Sequence, residues 1–342
     1  MSGSWKLLKR ESLGRFLDEL TAGAELWVPR RKGTRWEFDR YEPGKPAAFP
    51  ASIIEVSAKA LFFPRRRPIA RFSPKAKWSL EPVELPAAPR IVMGMHPCDV
   101  AGVRYMDRVF LGNDHPDRLY EAERNRTTIV GMRCSEMKPT CHCTDRNLSP
   151  DETQGMDAVF AETESGFLFR ALTEKGERLL GSPLLEATEQ KPEAKEWPKG
   201  RHLVPAPDEL MELYDDDFWL EASDICLTCG GCTFACPTCT CYLVADEKFG
   251  DEGERVTAWD SCQFLSFSRE TSGRNPRRTN AARLRNRTLD KFAYSFHKHG
   301  MSSCTGCGRC VLICPIRRSF PQLGMKLKER AEDKKKSKAR VS

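Results

Sequence analysis

Two cysteine runs constrain this chain more than any other feature of its sequence. One covers residues 226–237 and the other residues 304–315, and both follow the pattern C-x2-C-x2-C-x3-C-P. Three thiolates at x2 intervals can bind three corners of a metal cluster from one tight loop. Such a loop must curl closely around the cluster, and Gly230 and Gly308 provide the backbone freedom that this requires. The runs therefore predict cluster binding in the C-terminal part of the chain.

The repeated spacing is typical of two [4Fe-4S] clusters in which the fourth cysteine of each run binds the other cluster. The expected ligands of the first cluster are Cys226, Cys229, Cys232 and Cys314. The expected ligands of the second cluster are Cys304, Cys307, Cys310 and Cys236. Zinc is the alternative, but structural zinc sites use two separated C-x2-C pairs or mixtures of Cys and His. The sequence favours iron and sulfur.

Length and composition predict a two-domain cytoplasmic protein. The chain has 342 residues, and its 40% hydrophobic and 30% charged content is typical of soluble globular proteins. No apolar stretch approaches the length of a membrane span, and residues 1–12 contain no apolar signal core. In a reducing compartment, 15 cysteines indicate metal or redox chemistry and not a disulfide framework.

The N-terminal part alternates strand and helix patterns and predicts an α/β domain over residues 1–200. Residues 90–95 and 127–132 are apolar strand patterns, and residues 100–110 carry apolar side chains on one helical face. This order predicts a parallel strand pair with a right-handed crossover. Further expectations are a helix over residues 4–20 and hairpins over residues 25–38 and 157–171.

The C-terminal part predicts a ferredoxin-like dicluster domain over residues 207–322, so that the whole chain has an α+β or α/β architecture. A Pro-rich linker precedes this domain, and residues 250–300 form an insertion between the cysteine runs that we expect to be helical. Residues 323–342 are strongly basic, and we expect them to be disordered.

The insertion contains a stretch of basic residues that only Asp290 opposes. They are Arg274, Arg277, Arg278, Arg283, Arg285, Arg287 and Lys291. Because a cubane with four thiolates carries net negative charge, nearby cations would stabilise its reduced state, and exposed cations could steer a partner. A solvated helix is one alternative. Nucleic-acid binding is another, but no aromatic stacking platform or base-reading motif accompanies the stretch.

Seven of the 15 cysteines lie outside the two runs. Four of them suggest a further metal or iron–sulfur centre in the N-terminal domain: Cys98, Cys134, Cys141 and Cys143. Buried or reactive thiols without metal are the alternative for this group. We expect Cys239, Cys241 and Cys262 to pack beside the cubanes, because both ligand sets are complete without them.

Several kinds of site are not predicted. The sequence has no G-x-G-x-x-G after a strand and no Walker A motif, which argues against a nucleotide or flavin site. Its six histidines show no paired metal spacing with acids, so a histidine-based catalytic metal is not supported.

Several short segments resemble the beta subunits of cytoplasmic NiFe sulfhydrogenases and the corresponding iron–sulfur subunits of anaerobic sulfite reductases. In the N-terminal half they are His96-Pro97-Cys98-Asp99, Met106-Asp107-Arg108-Val109-Phe110 and Cys134 with Pro139 and Cys141-His142-Cys143. In the C-terminal half they are residues 236–241, Trp259-Asp260-Ser261-Cys262, Arg285-Asn286-Arg287 with Lys291-Phe292, and the second cysteine run. The family usually has Arg-Pro-Cys-Asp and Cys-Phe-Cys where this chain has His96 and His142.

The resemblance implies a non-catalytic electron-transfer protein within a larger complex. Such a protein relays single electrons through two [4Fe-4S] clusters from a flavin or NAD(P)H subunit to a catalytic hydrogenase or reductase subunit, or in the opposite direction. Two alternatives remain open at this point. One is a stand-alone reductase of sulfur compounds that uses the N-terminal cysteines, and the other is a redox-responsive protein that binds nucleic acid through its basic stretches.

Overall fold

A computed structural model describes residues 3–73, 80–318 and 320–341 of the chain. Its strands are β1 (Lys6–Lys9), β2 (Glu25–Lys32), β3 (Arg35–Arg40), β4 (Arg66–Phe72), β5 (Leu80–Pro82), β6 (Arg90–Met95), β7 (Thr127–Met132), β8 (Ala158–Thr163), β9 (Gly166–Ala171), β10 (Leu185–Ala187), β11 (Tyr242–Phe249) and β12 (Glu252–Trp259). Its helices are α1 (Leu13–Thr21), α2 (Lys59–Phe62), α3 (Pro97–Phe110), α4 (Arg118–Asn125), α5 (Glu174–Leu179), α6 (Pro207–Met211), α7 (Phe218–Ser223), α8 (Gly231–Phe234), α9 (Asn280–Leu289), α10 (Ser295–His299), α11 (Arg309–Ile313) and α12 (Phe320–Val341). No helix in the described ranges is long and apolar enough to cross a bilayer.

The chain divides into two compact units whose boundaries differ from the predicted domains in two respects: the placement of residues 64–84 and that of the predicted tail, residues 323–342. The first unit contains Met1–Phe63 and Leu85–Lys199, and the second contains Pro64–Glu84 and Gly200–Ser342. The segment Pro64–Glu84 was expected in the N-terminal domain, but its strand β4 pairs with β12. A local pattern can indicate a strand, but the partner of that strand is chosen by hydrogen bonds between residues distant in sequence.

The first unit is built around an eight-stranded sheet of order β10-β1-β9-β8-β7-β6-β2-β3. The pairs β2–β6, β6–β7 and β7–β8 are parallel, whereas the pairs β2–β3, β8–β9 and β1–β9 are antiparallel. Every residue of β6 is buried, as expected for a central strand that is covered on both faces. The predicted strand–helix–strand unit around α3 is confirmed, and so are both predicted hairpins, β2–β3 and β8–β9.

The predicted helix over residues 4–20 is wrong in its first half. Lys6–Lys9 forms β1, which pairs with β9 and β10, and α1 begins only at Leu13. Leu8 is fully buried in this sheet, so that its pairing with strands distant in sequence outweighs the local helical spacing.

The second unit combines a four-stranded antiparallel sheet, of order β11-β12-β4-β5, with helices. Its helices enclose a hydrophobic cluster that includes Leu213, Trp219, Leu289, Phe292 and Leu327. The insertion between the cysteine runs is helical from α9 to α10, as expected, but it also supplies the strand β12.

The basic C-terminal segment is helical, in contrast to the disorder that its composition predicts. Helix α12 spans Phe320–Val341, and Leu323, Leu327 and Ala331 are buried along one face in the hydrophobic cluster. The charged side chains lie away from this face, and Lys335 pairs with Glu209 of α6. Three apolar residues at four-residue spacing therefore anchor a segment whose overall composition is basic. Residues 1, 2, 74–79, 319 and 342 of the predicted domains lie outside the described residues.

Candidate iron–sulfur site

The two cysteine runs adopt the same local structure. In each run a glycine with positive φ follows the second cysteine: Gly230 has φ 72° and Gly308 has φ 75°. A short helix begins at the next residue, α8 in the first run and α11 in the second, and carries the third cysteine in its first turn. A Cβ atom on Gly230 would lie 2.8 Å from the ring of Phe264, so both conformation and space demand glycine there.

One cavity brings together the expected ligands of the first cluster. The cysteines that line it are these four, Cys226, Cys229, Cys232 and Cys314, together with Cys310 of the second expected set. The fourth cysteine of the second run thus faces the same space as the first three cysteines of the first run. The crossed ligand assignment requires this arrangement, and the thiol-lined cavity fits an iron–sulfur cluster.

The expected ligands of the second cluster also lie near one another. Burial raises the pKa of Cys307 and of Cys310, and the sulfurs of Cys304 and Cys236 act in the same direction on both. The charge of Cys236 also raises the pKa of Cys232. It therefore lies within electrostatic range of both cysteine runs, which places the two ligand sets side by side.

Two buried cations face these cysteines from one side of α9 and the turn that follows it. Arg287 and Lys291 are 2% and 3% exposed. Arg287 donates from Nη1 to the Sγ of Cys239 at 3.2 Å and from Nη2 to the carbonyl oxygen of Cys232 at 2.8 Å. Lys291 donates from Nζ to the Oγ1 of Thr238 at 2.9 Å.

Sulfur provides most of the negative charge that surrounds these cations. Burial acts to lower the pKa of Arg287, but the sulfurs of Cys232 and Cys239 outweigh it and raise that pKa well above its usual value. The pKa of Lys291 is likewise raised against the effect of burial, chiefly by Cys236. Its carboxylate neighbour Asp290 lies 3.9 Å away and is half exposed. Because a buried ion needs a counter-charge, this environment suits an anionic cluster with thiolate ligands.

The other members of the basic stretch have different roles. Arg283 is buried, and its Nη1 donates to the carbonyl oxygens of Arg277 and Arg278, which fixes the loop before α9. Arg285 stacks on Tyr214, with its guanidinium carbon 3.8 Å from the ring centroid. The sequence alone does not separate these roles, although the four-residue spacing of Arg283, Arg287 and Lys291 was a signal of a shared helical face.

The extra cysteines of the second unit lie close to other cysteines of this unit, and their packing beside the clusters stays a prediction. Cys239 and Cys262 are each 7% exposed. Cys239 shares a hydrogen bond with the thiol of Cys236, and Cys262 shares one with the thiol of Cys241. The amide Nε2 of Gln263 lies 3.7 Å from the Sγ of Cys262.

Three of the four N-terminal cysteines lie together at one edge of the first sheet. Cys134, Cys141 and Cys143 follow β7, and Cys98 lies in the first turn of α3, directly after the neighbouring strand β6. Burial raises the pKa of Cys134, and the charges of Cys143 and Cys141 raise it further. Within the described residues, no three His, Cys, Asp or Glu side chains are arranged to hold a single metal ion. A further centre at this edge stays a prediction.

Comparisons with known proteins agree with the geometry of the second unit. Residues 225–318 match the family model described as a 4Fe-4S dicluster domain. Over 241 residues the chain is 31% identical to sulfhydrogenase 2 subunit beta of Pyrococcus furiosus, an alignment that covers 66% of this chain and 70% of that protein. No solved structure is significantly similar. The chain belongs to the family of sulfhydrogenase beta subunits and is an iron–sulfur electron-transfer protein with two [4Fe-4S] clusters.

Proposed function

We propose that this protein relays single electrons between a subunit that carries a flavin or oxidises NAD(P)H and a catalytic hydrogenase or reductase subunit. The observation that carries the proposal is the position of Cys236. Its charge raises the pKa of Cys232 in one ligand set and the pKa values of Cys307 and Cys310 in the other. Each cluster, when bound, accepts and donates one electron. Adjacent ligand sets keep the step between two such clusters short.

The residues of this chain hold and tune the relay. We assign Cys226, Cys229, Cys232 and Cys314 to the first cluster because they line one cavity and match the crossed ligand pattern, in which Cys310 belongs to the second cluster. We assign Cys304, Cys307, Cys310 and Cys236 to the second. Arg287 and Lys291 place fixed positive charge beside both ligand sets, which favours the reduced and more negative state of each cluster.

The location and partners belong to the same proposal. No disulfide joins any cysteines in the part of the chain that the structure describes, which fits a reducing compartment such as the cytoplasm. The relative from Pyrococcus furiosus is named as a subunit, which supports assembly with other chains. Nucleic-acid binding is less well supported, because Arg283, Arg287 and Lys291 of the basic stretch are buried.

Anaerobic purification of a tagged chain from its native cells tests this function. We expect two further subunits to be recovered with it, one that contains flavin and one of the hydrogenase or reductase type. We also expect the isolated holoprotein to be reduced by dithionite but to turn over neither hydrogen, sulfite nor polysulfide. Turnover of any of these by the isolated chain would show a stand-alone enzyme and contradict the relay.

A further inference from the structure

Cys241 and Cys262 form a thiol pair that neither cluster uses. Cys241 directly precedes β11 and Cys262 closely follows β12. These strands pair antiparallel from Tyr242 opposite Trp259 onward, and the amide of Asp260 donates to the carbonyl oxygen of Cys241 at 2.9 Å. The paired backbone thus fixes the separation of the two thiols, although the residues are distant in sequence.

The contact between the two sulfurs shifts their pKa values in opposite directions. The thiol of Cys241 donates a hydrogen bond to Cys262, and this bond, with the positive charge of Arg287, lowers the pKa of Cys262 to about 6 against the effect of burial. The same hydrogen bond, together with burial, raises the pKa of Cys241. One thiolate beside one thiol is the arrangement of reactive dithiols.

The pair also shares a buried cation, Arg287, with a cluster ligand. Arg287 donates to the carbonyl oxygen of Cys232, and its charge acts on both Cys232 and Cys262. Cys262 is among the groups that raise the pKa of Cys232. The thiol pair and the first ligand set therefore share one buried cation.

We propose that Cys241 and Cys262 are a redox-active dithiol that exchanges two electrons with the two clusters. In the oxidising direction an S–S bond forms between the two Sγ atoms, the Cys241 thiol loses its proton, and each oxidised cluster takes up one electron. In the reducing direction the S–S bond breaks, one proton returns to Cys241, and each reduced cluster gives up one electron.

The dithiol rests on the proposed relay and its two clusters. It adds to that relay a centre that handles electrons in pairs. A hydride donor delivers two electrons at once, whereas each cluster carries one at a time. Two hydrogen-bonded sulfurs need only a short approach to reach the S–S distance of about 2.05 Å. A dithiol that exchanges electrons with one-electron centres can therefore store a pair of electrons.

Mass spectrometry of the anaerobic holoprotein tests the pair directly. One sample is oxidised and one is reduced with dithionite, and both are quenched with iodoacetamide and digested. We expect a linked peptide that joins Cys241 to Cys262 in the oxidised sample and alkylation of both residues in the reduced one. Reductive titration should consume about four electrons per chain, roughly two for the clusters and two for the dithiol.

Three serine variants distinguish the dithiol from other roles. C241S and C262S should each consume about two electrons per chain at unchanged iron content and with unchanged cluster EPR signals. The control T257S, a conservative change in β12 outside the pair, should keep the linked peptide and the electron count of the unsubstituted protein.

Two results would overturn the proposal. The first is the absence of the linked peptide under all conditions while the cluster signals are intact, which would leave the relay in place. The second is a loss of iron in C241S or C262S, which would make these residues ligands of a further metal centre. Absent cluster signals in the unsubstituted protein would instead reject the relay together with the dithiol.

Discussion

Among individual residues, Arg287 and Lys291 show most directly how the protein sets the properties of its clusters. Both are almost completely buried, and both face cysteine sulfurs. A charge in such a site acts through little solvent, so it is screened less than a surface charge. The sequence marked both residues as basic, but their burial separates them from the exposed Arg274 and Arg278.

Arg287→Gln should lower the reduction potential of at least one cluster. The substitution removes a positive charge beside Cys232 and Cys239, and the reduced state is the more negative one. We expect a fall on the order of 60 mV, which corresponds to a tenfold change in the equilibrium constant of a one-electron couple. Redox titration monitored by EPR gives the value. Arg278→Gln is the matched control, and equal shifts in both variants would contradict a local effect.

Cys314→Ser should perturb the cluster held by the first cysteine run. The reason is that Cys314 lines the same cavity as Cys226, Cys229 and Cys232. EPR spectra of single variants can identify the affected cluster. Cys314→Ser should reproduce the spectral loss of Cys229→Ser, whereas Cys236→Ser should reproduce that of Cys307→Ser. The opposite pairing would show that each run binds its own cluster.

Among the elements, α12 departs furthest from expectation. Its composition is basic, but Leu323, Leu327 and Ala331 bury one face against the core of the second unit. The four-residue spacing of these apolar residues is visible in the sequence. The apolar surface against which they pack is formed by α6, α7 and α9, and no local pattern reveals how those helices pack together.

Leu327→Ala should destabilise the second unit. Leu327 is fully buried, and removal of such a side chain costs about 2–4 kcal/mol in the free energy of unfolding. Anaerobic urea denaturation of the holoprotein measures the loss. Glu329→Ala, at an exposed position of the same helix, should change the stability little. A Leu327→Ala variant as stable as the unsubstituted protein would indicate that the segment is not packed as a helix.

Other elements followed from local patterns more completely. Strands β6 and β7 with α3 between them were predicted because apolar runs and helical periodicity alternate there. The strand β1 was missed, and β4 was assigned to the wrong unit, because both depend on partners far along the chain: β1 on β9 and β10, and β4 on β12. Pairing of that kind is decided by the whole fold.

For the whole molecule, the distribution of charge predicts how it responds to iron removal. Chelation of iron under anaerobic conditions should loosen the second unit and leave the eight-stranded sheet of the first unit protected. Without cluster charge, Arg287 and Lys291 lose much of the negative charge that offsets their burial. Hydrogen exchange, measured by mass spectrometry, reports on each unit separately. Unchanged protection around α9 would show that the cations are stabilised without the clusters.

The sequence by itself determined the cysteine runs and the dicluster chemistry, because cysteine spacing encodes a loop that can curl around a cluster, and its resemblance to a known family indicated the class of protein. Only the tertiary structure decided which extra groups join the site. It placed Arg287 against the sulfur of Cys239 and Lys291 within electrostatic range of the sulfur of Cys236, and it brought Cys241 next to Cys262 through the pairing of β11 with β12. The physical reason is that metal-ligand spacing is local along the chain, whereas burial, charge compensation and thiol pairing arise between residues that only folding brings together.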